Sequence, residues 1–259
     1  GDSALEQSKQ GDGDSGSDAK RLVKLVQGNA DLFHNPAGEA FAIIAENGHN
    51  ETWALESSGF RDWLCRKAFI DCQMTPTEFA IRTCINALSG IAKYDGPELE
   101  VHLRLAPYLA GYMLDLCDED WRAVHITPEK VELVSHPEVR FVRSKNAMAL
   151  PEPEDGTLDD IWEFVNIPER ERPLFLAFLL ECFRPDTPYI LLQLTGEQGS
   201  AKSCTHRVIR RLIDPCRVAF NSAPKAVQDL FVSAKHNHLV SLENISNLSD
   251  KLQDAFCVL

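Results

Sequence analysis

The sequence predicts an α+β domain followed by an α/β domain built on a mostly parallel sheet. Three observations carry that prediction. Over the first 150 residues, a hairpin signal, two helical periods and a series of short apolar alternations follow one another. From residue 150 onward, short apolar runs alternate with helical stretches, the pattern of a parallel sheet with crossover helices. Between the first of those runs and its helix lies a glycine loop, Gly196-Glu-Gln-Gly-Ser-Ala-Lys-Ser203.

At 259 residues the chain has material for one large core or two modest ones, and two is the better prior. Hydrophobic residues make up 44% and charged residues 25%, ordinary values for a globular protein. No apolar run approaches the roughly 20 residues a membrane-spanning helix needs, so no membrane partner is expected. Eight cysteines are scattered without a Cys-x-x-Cys pair. That usage fits reduced thiols in the cytoplasm better than a disulfide frame or a zinc site. The formal net charge is −13, from 26 basic and 39 acidic residues. Non-specific nucleic-acid affinity comes from neutralising phosphates, so DNA contact is expected only through a local patch or an oligomeric channel.

Residues 1–19 are rich in Gly, Ser and Asp and read as a disordered linker. Residues 20–26 look like a short amphipathic helix. Phe41-Ala-Ile-Ile44, Asn47-Gly48 and Glu51-Thr-Trp-Ala-Leu55 read as a hairpin, because Asn-Gly supplies the positive φ angles of a tight turn. Residues 60–72 carry Phe60, Leu64 and Ala68 at helical spacing, and Thr75-Pro-Thr-Glu78 opens a second helix reaching about Tyr94. Short strands are expected near 100–105, 111–116, 122–126, 130–134 and 139–142, completing an α+β domain over 20–149. The connector Leu150-Pro-Glu-Pro-Glu-Asp-Gly156 marks the boundary. Beyond it, 158–166 and 170–183 read as helices, 189–194 as a buried strand, and 201–213 as a helix. Strand 217–220, helix 226–236, strand 239–242 and a last helical segment from residue 249 follow.

The loop carries the chemistry. Its pattern is that of G-x-x-x-x-G-K-[ST], with Ala201 where the second glycine stands. In such loops successive backbone N–H groups converge on a polyphosphate at the positive end of a helix. Gly196, Glu197, Gln198, Gly199, Ser200, Ala201, Lys202, Ser203 and the adjoining Cys204 are therefore the expected nucleotide cradle. Lys202 is expected on the β- and γ-phosphates and Ser203 on Mg²⁺, so ATP and Mg²⁺ are the expected cofactors. Leu239-Val-Ser-Leu242 ends in Glu243, in the position of a strand-end carboxylate that holds the metal or orients water. Asn244 follows where many such sites carry a second acid. Lys202, Glu243 and Asn244 are the catalytic candidates and Ser203 and Glu243 the metal candidates.

GEQGSAKS, Leu212-Ile-Asp-Pro215, Asp229-Leu-Phe231 and LENISNLSDKLQDAFCVL over 242–259 resemble the ATPase domain of phage and mobile-element primase-helicases. These are P-loop NTPases related to the poxvirus-type primase-helicases and superfamily 3 helicases. Trp63-Leu64, Tyr112-Met-Leu-Asp-Leu116, Trp121-Arg-Ala-Val124, Phe141-Val-Arg143 and Leu150-Pro-Glu-Pro153 are similar to the region preceding that ATPase in a bacterial family of phage-related ATP-binding proteins. The resemblance implies a helicase-like replication motor working as a homo-oligomeric ring on DNA. It also implies a later sensor and an arginine finger beyond Leu259. Residues 150–259 are then the N-terminal portion of an α/β P-loop domain truncated at its C-terminus, with weak hydrolysis. Glu243 stands where the family commonly has Asp, and the resemblance implies a polar-sensor role for Asn244.

Two other classes compete. A nucleotide-gated interaction module without significant hydrolysis fits the acidic charge and Ala201. A small-molecule kinase shares the loop but needs a lid and acceptor site that the sequence does not display. His236-Asn237-His238 spells a nuclease motif without its ββα-metal context. Arg207, Arg210 and Arg211 read as a solvated face, and Asp115, Asp118, Glu119 and Asp120 as turn and strand acids rather than metal ligands.

Overall fold

The computed structural model describes residues 16–185, 190–245 and 249–256. They fall into two compact units that divide between Val101 and His102.

In the first unit, helix α1 (residues 16–27) starts four residues before its expected position. It turns Ala19, Leu22 and Val26 into the core at helical spacing. Strands β1 (Ala30–His34), β2 (Ala40–Glu46) and β3 (His49–Ala54) form an antiparallel sheet in that order. The β2–β3 hairpin turns where the sequence predicts, with Asn47 at φ 49° and Gly48 at φ 85°. Helix α2 (Ser58–Cys72) is capped by the Ser57 side chain, which accepts from the Phe60 N–H, and α3 (Glu78–Tyr94) by Thr77, which accepts from Ala80. Phe60, Leu64 and Leu88 close over Ile44 and Leu55 in one core. Gly59 is required there: a Cβ would meet the Trp53 ring at 2.0 Å.

The second unit begins with an antiparallel meander, β4 (Leu105–Tyr108), β5 (Gly111–Asp115), β6 (Ala123–Ile126) and β7 (Val131–Val134). One face presents Leu105, Leu114, Leu116 and Val124, and the other Ala106, Met113, Ala123 and Phe141. Two 3₁₀ turns, Leu158–Glu163 and Glu169–Glu171, then lead to four helices: α4 (Arg172–Glu181), α5 (Lys202–Ile213), α6 (Val227–His236) and α7 (Asp250–Phe256). Val165, Phe175, Phe178 and Leu179 pack against Ile209 and Ile213 of α5.

Among the described residues the mostly parallel α/β domain expected after residue 150 does not form. Both sheets are antiparallel, of three and four strands, and both lie before residue 135. Of the expected parallel strands, 190–194 and 217–220 form no β-bridge among the described residues; isolated bridges join the flanking Asn221 to Leu242 of 239–242 (parallel) and the flanking Cys216 to Ala147 (antiparallel). Tyr189 lies outside the described residues, as do 1–15 of the expected linker and 246–248 and 257–259 of the resembling tail. The physical reason is burial. A strand inside a parallel sheet is covered on both faces. Here Leu192 and Leu194 pack on the helices, while Leu191 is 71% exposed and Ile190 48%. The apolar run Ile190-Leu-Leu-Gln-Leu194 is one-sided, with Leu192 and Leu194 covered and Leu191 not.

A buried polar network joins the C-terminal end of α5 to the meander. Arg104, 1% exposed, donates through Nε to Asp214 Oδ1 at 3.0 Å. Its remaining N–H groups reach the carbonyls of Asp115 (3.2 Å), Met148 (3.2 Å) and Pro215 (3.4 Å). Asp214 caps α5, pairs with Arg210 at 3.3 Å and accepts from the Leu239 N–H at 3.1 Å. Arg210, expected on a solvated face, is buried and also donates to Leu239 O and to Asn237 Oδ1. Asp115 accepts from Arg143 at 2.6 and 2.9 Å, with that guanidinium 4.0 Å above the Trp121 ring. Asn237 and Asp115 are thus bound up in structural pairs.

His238 belongs to the same region, its Nε2 donating to Cys182 O at 2.7 Å. Burial lowers its pKa from the ordinary 6.5, with the hydrogen bond to Cys182 and the Asp214 charge acting the other way and Arg104 and Arg210 adding to the lowering. A depressed folded-state pKa means that the contribution is full above 6.5 and is lost as pH falls through the folded value. The urea midpoint of the second unit is therefore expected to drop between pH 7.5 and 5.5. The drop should be smaller in His238→Gln. His206, also shifted down by burial, leaves a residual slope of the same sign.

Candidate nucleotide-binding site

The loop between residue 195 and α5 owes its shape to three positive φ angles. Gly196 sits at φ 153° and Gly199 at φ 85°, both easy for glycine. Ala201 takes φ 60°, ψ 21°, the left-handed conformation for which the motif normally keeps a glycine. A methyl group there costs roughly 1–2 kcal/mol. Ala201 is also the N-cap of α5 and offers no side-chain cap, so the first N–H groups of the helix face the loop without one.

Lys202 folds back into this loop. Its ammonium donates to Gly196 O (2.8 Å), Glu197 O (2.6 Å) and Ser200 Oγ (3.2 Å), which uses all three of its donors. Ser203, one residue on, donates its hydroxyl to Glu243 Oε1 at 2.5 Å across 40 residues of sequence. Glu243 is held from behind. Its N–H donates to Asn221 O at 3.1 Å, and the Asn221 N–H donates to Ser241 O at 2.9 Å.

The structure thus bonds Lys202 to Gly196, Glu197 and Ser200 around the turn made by Gly199 and Ala201, and the adjoining Ser203 to Glu243. Gln198 and Cys204 are exposed beside it. Asn244 lies next to Glu243, exposed and at φ 59°. Sequence reasoning passed over Asn166, which donates through Nδ2 to Ser200 O (3.1 Å) and through its N–H to Thr205 Oγ1 (3.2 Å). It also passed over Asn221. Neither has a local signal, because each acts on a partner more than 20 residues away. Among the described residues no group of three or more His, Cys, Asp or Glu is placed to hold a metal ion, and no helix is long and apolar enough to cross a membrane.

A protein-family comparison bears on this region. Residues 158–259 match the family of the actinomycete integrative conjugative element replication protein. The matched segment contains α4, the loop, α5 and Glu243. It is similar to a replication family of mobile elements, which agrees with that side of the resemblance drawn from the motifs. The primase-helicase type has no counterpart in the match. No curated protein matches the chain.

Proposed function

We propose that the second unit binds ATP·Mg²⁺ on residues 196–203 and hydrolyses it in the service of mobile-element DNA replication. The observation that carries this reading is the Ser203–Glu243 contact beside a lysine folded into its own loop. A hydroxyl and a carboxylate are hard oxygen donors, the set magnesium takes when phosphates and water complete its shell. When bound, magnesium neutralises charge on the β- and γ-oxygens. Lys202 exchanges its bonds to the Gly196 and Glu197 carbonyls for phosphate oxygens, and the N–H groups opening α5 add their dipoles. Glu243 positions the attacking water. Homo-oligomerisation and DNA contact belong to the same proposal, and the net charge of −13 confines the DNA contact to a local or shared surface.

The test is nucleotide affinity in wild type and Lys202→Ala. Removing a phosphate-paired ammonium is expected to weaken ATP·Mg²⁺ binding by at least about tenfold. Equal affinity in the two proteins would sink the reading. A second reading is favoured by Ala201, whose strained conformation departs from the motif. It is a nucleotide-gated interaction module that binds ATP without significant turnover.

A further inference from the structure

We propose that His206 is the positioning residue that seats Glu243 against Ser203, through an aromatic stack on Phe220. The inference rests on the reading of Glu243 as the metal-linked carboxylate. His206 lies three residues after Ser203, one turn along α5, so both side chains emerge on the same side of the helix. The imidazole packs on the Phe220 ring with centroids 4.6 Å apart and planes at 37°. The Arg207 guanidinium stands 5.8 Å from that ring, so adjacent α5 side chains grip Phe220.

Phe220 is joined directly to Asn221, the residue whose backbone accepts from Glu243 and donates to Ser241. The chain of contact therefore runs from α5 through the stack to the Asn221 bridge and on to Glu243. It returns to α5 at Ser203. Each link fixes one coordinate: the stack sets the distance of residues 220–221 from the helix, and the two backbone bonds set the register of 241–243. Burial lowers the His206 pKa, and the Glu243 charge acts the other way. Without the stack, Glu243 itself is tied to α5 by one exposed hydrogen bond to Ser203, and the ties of its segment to α5 through Arg210 and Asp214 lie four residues back at Leu239.

The experiment compares wild type, His206→Ala and His206→Phe by two readouts. The first is amide hydrogen exchange at Asn221 and Glu243 in the nucleotide-free protein. The second is ATP affinity with magnesium and in EDTA. His206→Ala is expected to speed exchange at both amides about fivefold, the size of one aromatic contact. It should weaken ATP affinity only when magnesium is present. His206→Phe, which keeps a ring on Phe220, restores both. Unchanged exchange in His206→Ala, or equal losses in His206→Ala and His206→Phe, overturns the proposal. Absence of ATP binding by the wild type instead overturns the nucleotide reading, and the exchange data then decide the seating by themselves.

Discussion

Arg104→Ala is expected to destabilise the second unit by about 3–5 kcal/mol, the cost of leaving a buried charge and its partners unpaired. Arg104 is 1% exposed and satisfies Asp214 and three backbone carbonyls at once. Removing it strands the buried carbonyls of Asp115 and Pro215 and frees the partly buried one of Met148. Asp214 keeps Arg210 and the Leu239 N–H, so its charge is only partly compensated. Hydrogen exchange is the suitable measurement, because two compact units need not unfold as one. Protection should collapse over the meander and α5 while β1–β3 and α3 keep theirs. A loss below about 1 kcal/mol, the worth of an exposed ion pair, would show that the network is not a structural joint.

Glu243→Gln separates binding from turnover. Glutamine is nearly isosteric and its side-chain oxygen still accepts from the Ser203 hydroxyl, so the loop should keep its shape. The carboxylate charge is gone, and with it the ability to orient and polarise a water. ATP turnover is expected to fall by about 10²-fold or more, with ATP affinity changed by only a few-fold. Parallel single-turnover and equilibrium-binding measurements check this. Equal turnover in variant and wild type would remove Glu243 from the chemistry. Binding without measurable turnover in the wild type itself would favour the gated-module reading.

What could be read from the sequence was what depends on near neighbours. The Asn47-Gly48 turn, the start of α3 within the Thr75–Glu78 signal and the entry into α5 at Lys202 all follow from a few adjacent residues. Lys202, Ser203 and Glu243 were singled out as a group because a motif encodes their relation at a distance. The parallel strands failed for the opposite reason. A ladder exists only if another segment presents its edge, and the leucines of 190–194 carry no record of whether one does. Arg210 failed likewise. Its charge and helical spacing describe a solvated face, whereas its burial is decided by Asp214, Asn237 and Leu239 meeting over it. The partnership of Arg104 with Asp214 spans 110 residues and leaves no trace in either neighbourhood.

Helix α5 is held at both ends. At its N-terminus Lys202 and Ser203 grip the loop and Glu243, and just past its C-terminus Asp214 is bonded to Arg104. Twelve helical residues make a strut about 18 Å long. The helix thus links the phosphate-loop residues, by way of Asp214 and Arg104, to the start of the meander within one element.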